Sequence, residues 1–158
     1  MDDKKRAIQE KKVRVRQELL ELLQQLNENE WETAVYAEGT EWTISDILRH
    51  LVNAEKGMTD LITQFQQGND PVPPDFDRER FNKRVVEKTK EKSPAQLMAK
   101  LEVNQAAFLA ALDHLSEEDW GKNGRHASLR ILTIEQICHL IPDHEQTHIQ
   151  HIRDVVGA

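Results

Sequence analysis

Apolar side chains recur three, four or seven positions apart in four long stretches of the chain. This spacing places them on one face of an α-helix. The stretches cover about residues 3–27, 43–68 and 93–115, and a last one from Thr133 almost to Ala158. Four long amphipathic helices in one small chain predict an all-α, four-helix bundle.

The starts of three helices carry capping sequences. Thr43, Ser93 and Thr133 are each followed three residues later by Asp or Gln, as in a capping box. Pro94 occupies the first helical position after Ser93, where a missing backbone N–H has no effect. These signals fix the helix starts more sharply than the apolar spacing does.

The segments between the long helices break the helical period. Residues 27–41 and 116–132 are predicted as long connections, and the Gly- and Pro-rich segment 68–74 ends the second helix. A short, mostly exposed helix is expected over about residues 77–90. Because runs of β-branched residues with period-two alternation are missing, the composition favours helix, and the length fits a single domain over residues 1–158.

Charge narrows the choice of partners. Of the 158 residues, 31% are charged and 38% hydrophobic, with a formal net charge of −7. Basic residues alternate with acidic ones, whereas a nucleic-acid interface concentrates Lys and Arg on one face. The charges therefore indicate solvated helix surfaces, and the expected partner is a small molecule, not nucleic acid.

The single cysteine, Cys138, leaves no internal disulfide. The N-terminal segment is polar and charged, unlike a signal peptide, and no apolar run is long enough to span a membrane. A cytoplasmic protein without a membrane partner is the expectation.

Helical phase separates the seven histidines. On the last helix His144, His148 and His151 fall in the apolar half of the wheel, whereas His139 falls in the polar half. On the second helix His50 is in phase with apolar residues. One inward histidine is ordinarily a hydrogen-bonded core residue. Burying the pair at positions 144 and 148, however, requires partners for four ring nitrogens, and a divalent ion satisfies two of them together.

These positions predict a metal site made by His50, His144 and His148. Three histidines with an open fourth position are typical of a catalytic zinc-type site, and imidazole also suits nickel, copper and iron. His50 and His144 lie at similar depths from the starts of their helices, so the site requires the second and last helices to run parallel. His151 is expected behind the ligands or at the substrate, and His126 at the mouth of a pocket.

Residues 144–148 also match the H-E-x-x-H pattern of zinc peptidases, in which the glutamate is the general base. The chain departs from that pattern because only ten residues follow His148, which leaves no downstream third ligand. Glu145 and Glu55 are candidates for proton transfer or for contacts behind the ligands. The alternative interpretation is that both are solvated or interface carboxylates with no role in the chemistry.

Three segments resemble the DinB/YfiT-like superfamily of metal-dependent enzymes. Residues 41–51, EWTISDILRHL, resemble its Trp-Thr opening of the second helix followed by its first ligand. Residues 144–152, HEQTHIQHI, resemble its H-x-x-x-H pair. Arg125 and His126, ahead of residues 132–133, resemble its linker into the last helix.

The resemblance implies a four-helix bundle in which His50, His144 and His148 bind nickel, zinc or a similar ion. Some members are thiol-dependent transferases or isomerases that use a low-molecular-weight thiol cosubstrate. Members often form homodimers, and nothing in the sequence selects between monomer and dimer.

The leading hypothesis is a metal-dependent enzyme for a small-molecule reaction, either a thiol-dependent S-transferase or a hydrolase. The alternative is a bundle that binds a ligand or partner and catalyses nothing, and the zinc peptidase is the third hypothesis.

Overall fold

A computed structural model describes residues 2–157, and Met1 and Ala158 lie outside the described residues. Four long helices and one shorter helix dominate the fold, as the hydrophobic pattern predicts. The helices are α1 (Asp3–Gln24), α2 (Ile44–Gln66), α3 (Arg78–Lys88), α4 (Pro94–Asp113) and α5 (Ile134–Val156). The observed starts of α2, α4 and α5 agree with the predicted starts because of their caps. The side chains of Thr43, Ser93 and Thr133 each accept a hydrogen bond from the backbone N–H of the residue three positions later.

The four long helices form a ring in which α1 and α2 each pack against both α4 and α5. Ion pairs give the directions along α1 and α5: Lys4 pairs with Glu135 near the start of both helices, and Glu18 pairs with Arg153 near their ends. These two helices are therefore parallel. On α2, Gln66 at the C-terminal end donates to the carbonyl of His114 at the end of α4, so α2 and α4 are also parallel.

The parallel arrangement expected for α2 and α5 is wrong. Ile44 and Ile47 at the start of α2 share an apolar cluster with Ile152 near the end of α5. Phe65 at the end of α2 shares a second cluster with Ile137 near the start of α5. The two helices are antiparallel, and their histidines still meet because those of α5 lie in the middle of that helix.

Both long connections contain a short β-hairpin that the sequence did not predict, although the fold as a whole is mostly helical, as predicted. Strands β1 (Ala34–Ala37) and β2 (Thr40–Thr43) are antiparallel, as are β3 (Asn123–Arg125) and β4 (Ile131–Thr133). Each hairpin ends at the capping threonine of the following helix, and β1 packs against α5. Among residues 2–157, no helix combines the length and apolar character that crossing a bilayer requires.

Gly124 in β3 lies against the buried ring of Phe65 from α2. A Cβ atom at position 124 would lie 2.2 Å from Cε1 of that ring. Because the ring of Phe65 is buried, at 1% exposed, it would have to shift within the packed core to admit a Cβ, and Gly124→Ala is expected to lower the free energy of unfolding by about 1–3 kcal/mol. Urea denaturation would measure the change. Gly121→Ala is the matched control, since a Cβ there meets no atom within 4 Å, and equal stability of the two variants would contradict this packing.

Asp119 joins the second connection to the end of α2. Its carboxylate accepts from Lys122, from Ser116 and from Gln66. These hydrogen bonds, that of Lys122 above all, hold the pKa of Asp119 below its usual range against the opposing effect of burial.

A carboxyl whose pKa is depressed in the folded state stabilises the fold above its unfolded pKa of about 3.9, and this stabilisation is lost as the pH falls through the folded value. We expect Asp119→Asn to destabilise the protein at pH 7, with the difference from wild type shrinking below about pH 4. Urea denaturation at pH 7, 5 and 3 would check this. A difference that stays constant over this range would contradict the ionised role of Asp119.

Candidate metal centre

His50 of α2 and His144 and His148 of α5 point their Nε2 atoms towards one another. The Nε2 atom of His144 lies 3.1 Å from that of His50 and 3.2 Å from that of His148. Zinc–imidazole bonds of 2.0–2.1 Å in a tetrahedral site imply nitrogens about 3.3 Å apart. Both distances from Nε2 of His144 are therefore close to the spacing expected for ligands of a single ion.

A fourth side chain, Glu38, joins this cluster from the turn of the first hairpin. Its Oε2 atom lies 2.9 Å from Nε2 of His50, and its Oε1 atom lies 3.0 Å from Nε2 of His144 and 3.5 Å from that of His148. The four donor atoms lie within 4.8 Å of one another. Three imidazoles and one carboxylate are a donor set that divalent transition metals accept, so the cluster is able to bind such an ion.

The backbone of Glu38 is unusual. Glu38 and Gly39 have φ angles of 51° and 77° and form the two-residue turn between β1 and β2. Positive φ at both positions is typical of a type I′ turn, in which Asn, Asp or Gly normally occupies the first position. A left-handed glutamate is disfavoured on its own, and residues held in such conformations cluster at functional sites.

The histidines and Glu38 set one another's charge. Burial alone would raise the pKa of Glu38, but hydrogen bonds to His144, His148 and His50 outweigh it and hold the pKa well below its usual range. Burial lowers the pKa of His148, and its hydrogen bond to Glu38 only partly opposes this. An ionised carboxylate beside a neutral imidazole is the protonation state in which both groups can bind a cation.

Two neighbouring side chains, His151 and Trp42, lie against the rings of His148 and His50. Nδ1 of His151 lies 3.3 Å from Nδ1 of His148, on the side of the ring that faces away from the cluster. A proton on Nδ1 of His148, donated to His151, would leave the Nε2 lone pair of His148 free for a metal. The buried ring of Trp42, at the end of the first hairpin, lies 5.1 Å from the ring of His50.

A cavity of about 340 Å³ opens beside the cluster, and both His50 and His144 line it. Its walls are largely apolar and come from α2, α3, α5 and the loops next to them. The sequence placed His126 at a pocket mouth, and the structure places this half-buried side chain in the cavity wall.

Glu145 and Glu55, the candidates for proton transfer, lie in a buried ion network in the centre of the bundle. Arg16 of α1 donates to both carboxylate oxygens of Glu145 and to Oε1 of Glu55. Lys12, also of α1, lies 2.6 Å from Oε2 of Glu55 and 3.3 Å from Oε1 of Glu145. None of the described hydrogen bonds joins either glutamate to the three histidines.

The thiol of the single cysteine is not in a reactive environment. Cys138 is buried in the core. Burial raises the pKa of its thiol to about 12, so the nucleophilic thiolate is not populated near neutral pH.

Comparison with known proteins agrees with this description. The family model of the DinB superfamily matches residues 13–152. Among proteins with curated functions, no sequence matches this chain.

Several solved structures share the fold. YfiT from Bacillus subtilis, described as a probable metal-dependent hydrolase with an unusual four-helix bundle topology, superposes with a TM-score of 0.81 at 18% identity, covering 99% of this chain and 89% of that one. A mycothiol-dependent maleylpyruvate isomerase superposes with a TM-score of 0.77 at 14% identity. The match covers 94% of this chain but 60% of the isomerase, so this chain corresponds to only part of that enzyme.

An uncharacterised protein from Escherichia coli UTI89 superposes with a TM-score of 0.74 at 12% identity, covering 97% of this chain and 92% of that one. At these identities the structural matches describe the fold.

Proposed function

The chain belongs to the DinB superfamily, and from this membership and its site we propose that it is a metal-dependent enzyme acting on a small molecule. The proposed reaction is hydrolysis or transfer to a low-molecular-weight thiol. The observation that carries the proposal is the convergence of three histidine Nε2 atoms and the Glu38 carboxylate beside an apolar cavity.

In this proposal His50, His144 and His148 hold a zinc or nickel ion, and Glu38 supplies a fourth donor. A bound divalent ion of this kind acts as a Lewis acid and lowers the pKa of a coordinated water or thiol. Some catalytic zinc sites accept a fifth donor in the transition state, so a carboxylate donor at this site would still leave a position for a substrate. His151 orients His148, and the apolar cavity wall excludes water from the substrate.

The activities described for two structural relatives favour this reaction class. One is a probable metal-dependent hydrolase and the other a mycothiol-dependent isomerase. The peptidase hypothesis has less support, because that mechanism requires Glu145 as a free general base. Both of its oxygens are bound by Arg16, and its side chain is 4% exposed.

The test compares metal-free protein with zinc- and nickel-loaded protein. We expect the loaded protein to hydrolyse small activated esters or to add a low-molecular-weight thiol to an electrophile, and His144→Ala to lose this activity. A protein that holds stoichiometric metal and turns over neither substrate class would favour the alternative, a bundle that binds a ligand without catalysis.

The fourth donor gives a separate prediction. Glu38→Gln is expected to weaken zinc binding about tenfold or more, because the amide oxygen carries no charge to offset that of the ion. Competition with a chelating dye would measure the affinity. Glu41→Gln is the matched control, since Glu41 is an exposed residue of the same hairpin. Unchanged zinc affinity with reduced turnover would instead make Glu38 a proton acceptor.

A further inference from the structure

The cavity beside the histidines combines apolar walls with local positive charge. Its apolar lining comes mainly from Ala54, Met58, Leu61, Phe76, Phe81 and Leu140. Its charged lining side chains are Arg78 and Arg130, and within the described residues no acidic side chain lines it. This contrasts with the chain as a whole, whose formal net charge is −7.

The guanidinium groups of both arginines are unpaired within the described residues. Neither Arg78, at the start of α3, nor Arg130, before β4, forms an ion pair with any residue in the range 2–157. Two guanidinium groups that flank an apolar cavity attract a ligand with a negative group, because their donors match carboxylate and phosphate oxygens.

His126 adds an oriented hydrogen-bond donor to the same wall. Its Nδ1 atom accepts from the backbone N–H of Ser128 at 3.0 Å, which leaves the proton of the neutral ring on Nε2. Burial, together with the positive charges of Arg78 and Arg130, lowers the pKa of His126 to about 4. His126 is therefore neutral near pH 7, with the N–H group on the nitrogen that Ser128 does not bind.

We propose that this cavity binds a small amphipathic anion, with an apolar body against α2 and α3 and its negative group held by Arg78 and Arg130. The inference names the substrate class for the metal-dependent function proposed above and rests on it. A volume of about 340 Å³ lies near the lower end of the range of about 300–1,000 Å³ that is typical of small-molecule sites, so the ligand is small.

Octanoate and 1-octanol are suitable probes, because they share a chain and differ in the charge of the head group. Calorimetric titration at pH 7 uses metal-free protein, so that the carboxylate cannot bind the ion. We expect octanoate to bind at least tenfold more tightly than octanol. The double variant Arg78→Ala/Arg130→Ala should reduce octanoate binding to the level of octanol.

Arg80→Ala is the matched charge control, because Arg80 also lies on α3 but lines a different surface groove. It should leave octanoate binding unchanged. Gly57→Phe tests the apolar part of the cavity: Gly57 lines it, and a Cβ there meets no atom within 4 Å. The phenyl ring should fill the cavity and abolish binding of both probes while the helix stays folded, as circular dichroism would check.

Equal affinity for the two probes, no measurable octanoate binding, or octanoate binding that survives the loss of both arginines would overturn the proposal. The readout is independent of metal and of turnover. A protein that takes up metal but shows one of these results contradicts the substrate class alone. A protein that binds octanoate as expected but takes up no metal contradicts the enzyme and leaves an anion-binding bundle.

Discussion

His144→Ala is expected to abolish stoichiometric metal uptake, which is the largest effect we expect at the histidine cluster. His144 is the centre of the cluster: its Nε2 atom lies 3.1 Å from that of His50, 3.2 Å from that of His148 and 3.0 Å from Oε1 of Glu38. Loss of a partner that only orients a ligand costs 10- to 100-fold in metal affinity. Loss of a ligand itself should therefore weaken binding on the order of a hundredfold or more.

Mass spectrometry on tag-free protein would measure metal content, and thermal denaturation with added zinc gives a second readout. An ion that binds the native state alone stabilises it by about 2.7 kcal/mol when free metal exceeds Kd a hundredfold. We expect this stabilisation in wild type and not in His144→Ala.

His139→Ala is the matched control, because His139 lies on the same helix and does not belong to the four-residue cluster. It should retain both metal and zinc-dependent stabilisation. Wild-type protein that takes up neither zinc nor nickel, or equal metal content in the two variants, would contradict the metal site.

The sequence predicted the long helices well because each has an apolar stripe, and the starts of α2, α4 and α5 also carry a capping signal. It missed the two hairpins, whose strands are three or four residues long and carry little alternation. Part of a signal was present at Glu38-Gly39, because glycine at the second position of a two-residue turn is typical of a β-hairpin.

The phase of the histidines was readable, but the direction of the helices was not. The position of a residue along a helix gives its distance from the helix start and the helix face on which it lies. Neither quantity shows whether the neighbouring helix runs parallel or antiparallel. His144 and His148 lie near the middle of α5, so they can meet His50 whether α2 runs parallel or antiparallel to α5. Glu38 could not be found in this way, because its place at the site follows from how the first hairpin packs against α5.

Glu145 shows a different limit of the helical wheel. The wheel placed Glu145 in the apolar sector beside His144, and the structure places it in the core, 3% exposed. Its partners were missed, although Lys12 and Arg16 lie four positions apart within the apolar stripe of α1. Two basic residues on a buried helix face require buried acids opposite them, and Glu55 and Glu145 meet that requirement.

We therefore expect Glu145→Ala to destabilise the fold strongly, by about 3–5 kcal/mol, because it leaves the buried charges of Arg16 and Lys12 without one of their two carboxylates. Urea denaturation of metal-free protein would measure the free energy of unfolding. Glu135→Ala is the matched control on the same helix. Glu135 pairs with Lys4, and both side chains are more than a third exposed, so its loss should cost less than about 1 kcal/mol.

A second variant tests whether the protein needs the four buried charges themselves or only side chains that fill their positions. Buried ion networks are often replaceable by apolar residues of similar volume at little or no cost in stability. Replacing Lys12, Arg16, Glu55 and Glu145 together by methionine is therefore expected to recover most of the stability that Glu145→Ala loses. If Glu145→Ala instead keeps wild-type stability and metal content but loses turnover, the network role assigned here is wrong, and Glu145 acts as the general base of the H-E-x-x-H pattern.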